Sequence, residues 1–279
     1  MSERSRPPRP EGGDRGRRSG GSARPRQEGP RAGQGAAGRR GATDRSRAEA
    51  VGAGEEEPLP VAEVLPPEVL DELRETVRAE QVRSVQQALA RAVVALADED
   101  PESAVRSARE AKRLAPRSAA VREALGLGLY QSGAYREART ELAAAQRFSG
   151  THDLSAVLAD IERGLGRPER AVELFESVDR SGIGQDAAAE LLLVAAAAYG
   201  DLGRPAAGAA LIRRHGEWPA QLREHHLRLA YVQGTLAQQA GDAAGARKAF
   251  ERVVAADPEF HDAAERLDQL TRGNPADPA

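Results

Sequence analysis

The 279-residue chain has no cysteine, which excludes disulfides, thiol nucleophiles and thiolate metal sites. Aromatic residues make up only 3% of it, too few for an aromatic-cored compact enzyme, so Ala, Leu and Val must fill the core. Lysine is confined to Lys112 and Lys248, and asparagine to Asn274. Positive charge is therefore almost all arginine, a bias that reflects GC-rich coding as much as any ligand. No apolar run reaches the roughly 20 residues of a membrane-spanning helix. The longest, Leu191 to Tyr199, falls well short, and the Arg-, Pro- and Gly-rich start lacks the apolar core of a signal peptide. The expectation is a soluble, cytoplasmic protein without membrane contact.

The net charge of −3 conceals a split. Of 40 basic and 43 acidic residues, residues 1–50 hold 13 and 6, a net of +7, which leaves 27 and 37, a net of −10, for the remainder. Residues 1–57 have almost no large apolar side chains and cannot bury enough surface to offset their ordering entropy, so a disordered basic tail is expected. Its stretch from Gly12 to Gly21, with Arg15, Arg17 and Arg18, resembles the RGG-type segments of RNA-binding proteins. It lacks the aromatics that stack on bases. The plain reading is a solubilising tail, and the alternative is an arm making weak phosphate contacts to RNA.

Pro58 to Pro67 reads as an extended linker, and Val69, Leu70, Leu73 and Val77 fall at helical spacing beyond it. Linker and lead-in helix together are placed at 58–84. After them a pattern recurs five times, aligned on Glu99, Gly133, Gly166, Gly203 and Gly241, with steps of 34, 33, 37 and 38 residues. Two residues on stands Pro101, Tyr135, Pro168, Pro205 or Ala243, where a first helical turn tolerates proline. Asp100 and Asp242 precede two of these helices as N-caps. Five residues after the turn come Ala104, Ala138, Ala171, Gly208 and Ala246; seven before it come Ala92, Gly126, Ala159, Ala196 and Gly234. These small residues are expected to oppose each other across pairs of antiparallel helices, where bulk would force the helices apart. Gly126→Leu should therefore be damaging and Gly126→Ala mild. Nine residues after the turn, Ala108, Leu142, Phe175, Ile212 and Phe250 are expected to face the core. A last amphipathic helix, 261–272, would cap the array through Ala264, Leu267 and Leu270, leaving 273–279 as a tail.

On Leu125-Gly126, Gly133, Tyr135, Ala138 and Ala145, and again on Gly234, Gly241, Ala246, Phe250 and Pro258, the chain resembles the tetratricopeptide repeat (TPR) family. The resemblance covers about residues 85–260 and implies an all-α, right-handed superhelical solenoid of about five helix pairs: 85–118, 119–150, 152–185, 189–222 and 227–260. The chain departs from the family pattern in three ways. The large aromatic near the start of the first helix is missing, Glu162 takes a usually apolar position, and the longer steps imply insertions near 181–185 and 215–221.

No catalytic, cofactor or metal constellation stands out, so no enzyme activity, cofactor or metal is expected. Gly126-Leu127-Gly128 lacks a third glycine and lies inside a helix. His225 and His226 are adjacent, about 100° apart on a helix, which points to a surface or inter-repeat role rather than one metal. Asp98-Glu99-Asp100 reads as turn and cap chemistry. The resemblance implies a concave groove lined by the first helix of each pair and holding a protein or peptide. By phase its lining includes Gln86, Glu123, Tyr130, Gln131, Asp153, Asp160, Arg163, Glu190, Arg228, Tyr231, Thr235 and Gln238. Tyr130 and Tyr231 are the favoured anchors, because aromatics dominate binding hot spots. With neither Lys nor Asn in this set, the C-terminal-carboxylate grip of family co-chaperones does not fit. The expected function is a non-catalytic protein-interaction scaffold or adaptor. The alternative is an RNA- or ribosome-associated adaptor acting through the basic tail.

Overall fold

A computed structural model describes residues 58–272; the expected basic tail, 1–57, and the C-terminal 273–279 lie outside the described residues. The described chain is all-α and repeat-like, with thirteen helices, one 3-10 turn at Arg180–Gly182 and no strand among the described residues. The helices are α1 (Val61–Val64), α2 (Pro67–Thr76), α3 (Ala79–Ala97), α4 (Pro101–Leu114), α5 (Ala119–Gln131), α6 (Tyr135–Ser149) and α7 (Ser155–Gly164). There follow α8 (Pro168–Ser177), α9 (Gln185–Asp201), α10 (Pro205–His215), α11 (Glu224–Gln239), α12 (Ala243–Ala256) and α13 (Ala263–Arg272). No helix among the described residues is long and apolar enough to cross a membrane.

Local chemistry sets the helix ends. Asp100 accepts from the Ser103 N–H at 3.0 Å to open α4, Ser118 from Val121 at 3.2 Å to open α5, and Asp242 from Gly245 at 2.8 Å to open α12. Pro168 and Pro205 take the first position of α8 and α10, where a missing N–H costs nothing. All five turn positions are left-handed: φ is 55° at Glu99, 75° at Gly133, 73° at Gly166, 68° at Gly203 and 76° at Gly241. In each turn the next residue's N–H reaches back five residues, as in Asp100 to Ala95 at 2.9 Å, Ala134 to Leu129 at 2.8 Å and Arg204 to Tyr199 at 2.8 Å. This 6→1 bond satisfies a carbonyl that the ending helix leaves open and folds the chain back on itself.

The resulting hairpins are α3–α4, α5–α6, α7–α8, α9–α10 and α11–α12, each packed on the next; α1 and α2 lie on α3, and α13 on α12. All ten small positions are buried, as are Ala108, Leu142, Phe175, Ile212 and Phe250. Small meets small at Gly208, where an added Cβ would lie 2.5 Å from the Ala196 carbonyl oxygen. At the other two glycines of these sets the partner is large: Gly126 lies under Leu142, and Gly234 under the Phe250 ring. Even Gly126→Ala therefore meets a close neighbour, since its Cβ would lie 2.5 Å from Leu142 Cγ.

The buried apolar side chains form two clusters. One runs from Leu65 to Ile161 and the other from Ala156 to Ala263. They divide within α7, which gives Leu158 and Ile161 to the first cluster and Ala156 and Ala159 to the second.

Several boundaries differ from the sequence reading: α9 begins at Gln185 where 189 was expected, α11 at Glu224 where 227 was, and α13 at Ala263 where 261 was. The linker contains the helical turn α1, and Leu59 before it is held by Gln87, which both donates to its carbonyl and accepts from its N–H at 3.0 Å. The lead-in helix ends at Thr76, and Val77 and Arg78 are extended, with ψ of 145° and 138°. Helix α3 thus begins at Ala79 and runs straight through the expected boundary at 84/85. Glu162 is only 4% exposed, and its carboxylate is neutralised by Arg139 and, at 3.6 Å, by Arg167.

Candidate functional site

The twelve expected groove residues fall on first helices of the hairpins, except Asp153 in the α6–α7 connection. The structure gathers most of them into ties between neighbouring hairpins. Tyr130 on α5 donates to Asp160 on α7 at 2.6 Å, and Arg163 binds Asp160 at 2.8 Å and Asp201 on α9 at 2.7 Å. Gln131 donates to the Leu96 carbonyl at the end of α3, at 3.3 Å. Arg228 on α11 pairs with Glu190 on α9. Tyr231 donates to Asp262 at 2.5 Å, while Arg266 on α13 donates to Thr235 at 3.3 Å and Gln238 at 3.4 Å.

The electrostatics follow these contacts. Burial pushes the Tyr130 hydroxyl far above its ordinary pKa, and its hydrogen bond to Asp160 adds to this. Burial raises Tyr231 as well, with Asp262 contributing. For Arg163, burial opposes the charge, but Asp201 and Asp160 outweigh it and hold the pKa above the ordinary value.

Gln86, Glu123 and Asp153 make no side-chain hydrogen bond or ion pair among the described residues. Burial, followed by the like charges of Asp153 and Glu72, raises the Glu123 pKa. Glu72 itself accepts from the Ala119 N–H at 2.8 Å, at the start of α5. Tyr130 and Tyr231, both half-buried, are thus held in structural contacts. The Tyr231 ring also packs edge-on against Phe250, with centroids 5.9 Å apart, and against Phe260 at 6.0 Å.

A second feature was not anticipated. Both insertions converge on a cleft of about 230 Å³ between α9 and the start of α11. Arg180, Ile183 and Gln185 come from the first insertion and His215, Gly216 and Glu217 from the second, over an apolar floor that includes Phe175, Leu192 and Leu229. His225 and His226 close one wall, and their rings do not diverge: the two Nε2 atoms lie 3.2 Å apart. The Cα–Cβ vectors of adjacent helical residues point apart, but in a first turn the long side chains can converge. His226 folds back to accept the Arg223 N–H at Nδ1, 3.1 Å away, while His225 Nδ1 reaches Asp186 on α9 at 2.7 Å. The pair thus links the start of α11 to α9. Among the described residues no group of three or more His, Asp or Glu side chains is placed to hold a metal ion. The legible signal for this cleft was the pair of longer repeat steps.

No protein-family model matches the chain, and a search of curated proteins finds no similar sequence.

Proposed function

We propose that the protein is a non-catalytic, cytoplasmic interaction scaffold of the tetratricopeptide type, a right-handed superhelical array whose first helices line a groove for a protein or peptide. The observation carrying this reading is the five-fold recurrence of one hairpin: a left-handed turn, a 6→1 carbonyl bond and two buried small positions, in one phase from Ala92 to Ala246. Hairpins stacked in this way present an extended lateral face, which such proteins use for binding.

Within that face the partner-binding role is assigned to Gln86, Glu123 and Asp153, whose side chains make no hydrogen bond or ion pair among the described residues. The other candidates tie neighbouring hairpins together or tie α11 to Asp262 and Arg266. Glu123 and Asp153 repel each other and gain from a cation between them, so a partner bringing a basic side chain there is favoured.

The test is affinity capture with the full chain, with and without nuclease, comparing wild type with Glu123→Gln/Asp153→Asn. Retained protein partners that the double variant loses support the scaffold. Capture abolished by nuclease, or unchanged in the variant, overturns it; the first outcome favours an RNA adaptor acting through the basic tail.

A further inference from the structure

The contacts around His225 and His226 permit only one arrangement of protons. His226 Nδ1 accepts from the Arg223 N–H, so in the neutral ring the hydrogen sits on Nε2. That Nε2–H points at His225 Nε2, 3.2 Å away, which must then be the acceptor. His225 carries its hydrogen on Nδ1 and directs it to the Asp186 carboxylate at 2.7 Å. The result is a one-way chain, from the Arg223 amide through His226 and His225 to Asp186, that joins the start of α11 to the first turn of α9.

We propose that this junction is a pH-sensitive latch, which holds the start of α11 against α9 when both histidines are neutral and releases it when the pair takes up a proton. A proton has two places to go. On His226 Nδ1 it faces the Arg223 N–H, and the cap of α11 is lost. On His225 Nε2 it faces the His226 Nε2–H; His226 can relieve that clash only by shifting its own hydrogen to Nδ1, which again meets the Arg223 N–H. Either route breaks a link.

The surroundings do not offset this. His215 at the end of α10 and Arg180 from the first insertion line the same cleft, and Arg223 stands beside His226 on α11. On the acidic side, Asp186 and Glu217 favour the cation, but Asp186 is 80% exposed, and Glu190 on α9 is already paired with Arg228. Burial first, then the charges of His225 and Arg223, lowers the His226 pKa. A histidine depressed in the folded state contributes stability above its unfolded pKa and loses it as pH falls toward its folded pKa. The latch therefore weakens on acidification.

Two measurements on the full chain test it. In the wild type, ¹⁵N imidazole spectra at pH 7.5 should show opposite tautomers, hydrogen on Nε2 of His226 and on Nδ1 of His225. Amide exchange of residues 216–227, corrected for intrinsic rates, should accelerate from pH 7.5 to 5.5 by up to about tenfold per pH unit for each proton taken up on opening. In His226→Gln, which keeps an acceptor for the Arg223 N–H but cannot titrate, that acceleration should largely vanish. Identical tautomers, or exchange insensitive to pH in the wild type, overturns the proposal even if the variant fails to fold. A folded variant with undiminished acceleration overturns it as well.

Discussion

Adding one methyl group to the α5–α6 hairpin should decide whether its packing is as tight as described. The Cβ of Gly126→Ala would lie 2.5 Å from Leu142 Cγ, 2.6 Å from Cδ2 and 3.2 Å from the Leu142 nitrogen. Carbon atoms prefer about 3.5–4.0 Å, so roughly 1 Å of separation must be found. Leu142 is fully buried and cannot swing into solvent, so α6 itself must move. Overpacking of this kind costs about 1–3 kcal/mol, and the better helix propensity of alanine returns about 1 kcal/mol. The net is a destabilisation of about 0–2 kcal/mol, with a fall in melting temperature of about 2–4 °C for each kcal/mol. The assay is thermal or urea unfolding of a double-mutant cycle with Leu142→Ala. Alone, Leu142→Ala should cost about 2–5 kcal/mol by leaving a cavity. Combined with Gly126→Ala it should cost less than the sum, because the new methyl occupies vacated space, giving a coupling of about 0.5–3 kcal/mol. A Gly126→Ala protein more stable than wild type, with strictly additive changes in the cycle, would refute the close approach of α5 and α6.

Two further perturbations test buried charge. Arg139→Ala removes the main partner of a carboxylate that is 4% exposed and should cost about 1–3 kcal/mol in urea unfolding, whereas Glu162→Met, which removes the charge itself, should be near neutral or stabilising. Glu123→Gln should raise the melting temperature at pH 7, since burial and its acidic neighbours disfavour the charge. A carboxyl whose folded pKa is raised binds its proton better in the folded state, so the wild type recovers stability as pH falls into its titration range, and the advantage of the variant should shrink from pH 7 towards pH 4.5. A gap independent of pH would contradict that account.

The fold was legible wherever one residue type has one local job. Gly133, Gly166, Gly203 and Gly241 mark the turns because a left-handed φ excludes most side chains, and Pro168 and Pro205 mark helix starts because they lack an N–H. The break at Val77–Arg78 carries no such mark: neither residue is a helix breaker, and the extended backbone there separates α2 from the α3 it packs on. Eleven of the twelve groove candidates lie on first helices and Asp153 in the α6–α7 connection, but helical phase says which way a residue points and not whom it meets. Tyr130 and Asp160 are a repeat apart in sequence and 2.6 Å apart in space. His225 and His226 misled for the opposite reason, since backbone vectors were read as ring positions.

The division of the apolar interior within α7 bears on how the chain responds to mechanical load. A ten-residue helix supplies side chains to both clusters, so it forms a neck where the two parts of the hydrophobic interior meet. The polar ties across that neck include Tyr130 to Asp160 and Arg139 to Glu162 on one side and Arg163 to Asp201 on the other. Pulled from its ends, the array should part at this neck and extend in two stages, each half yielding as its own unit. A force–extension trace with a single indivisible rupture would mean that the ties carry more load than the neck.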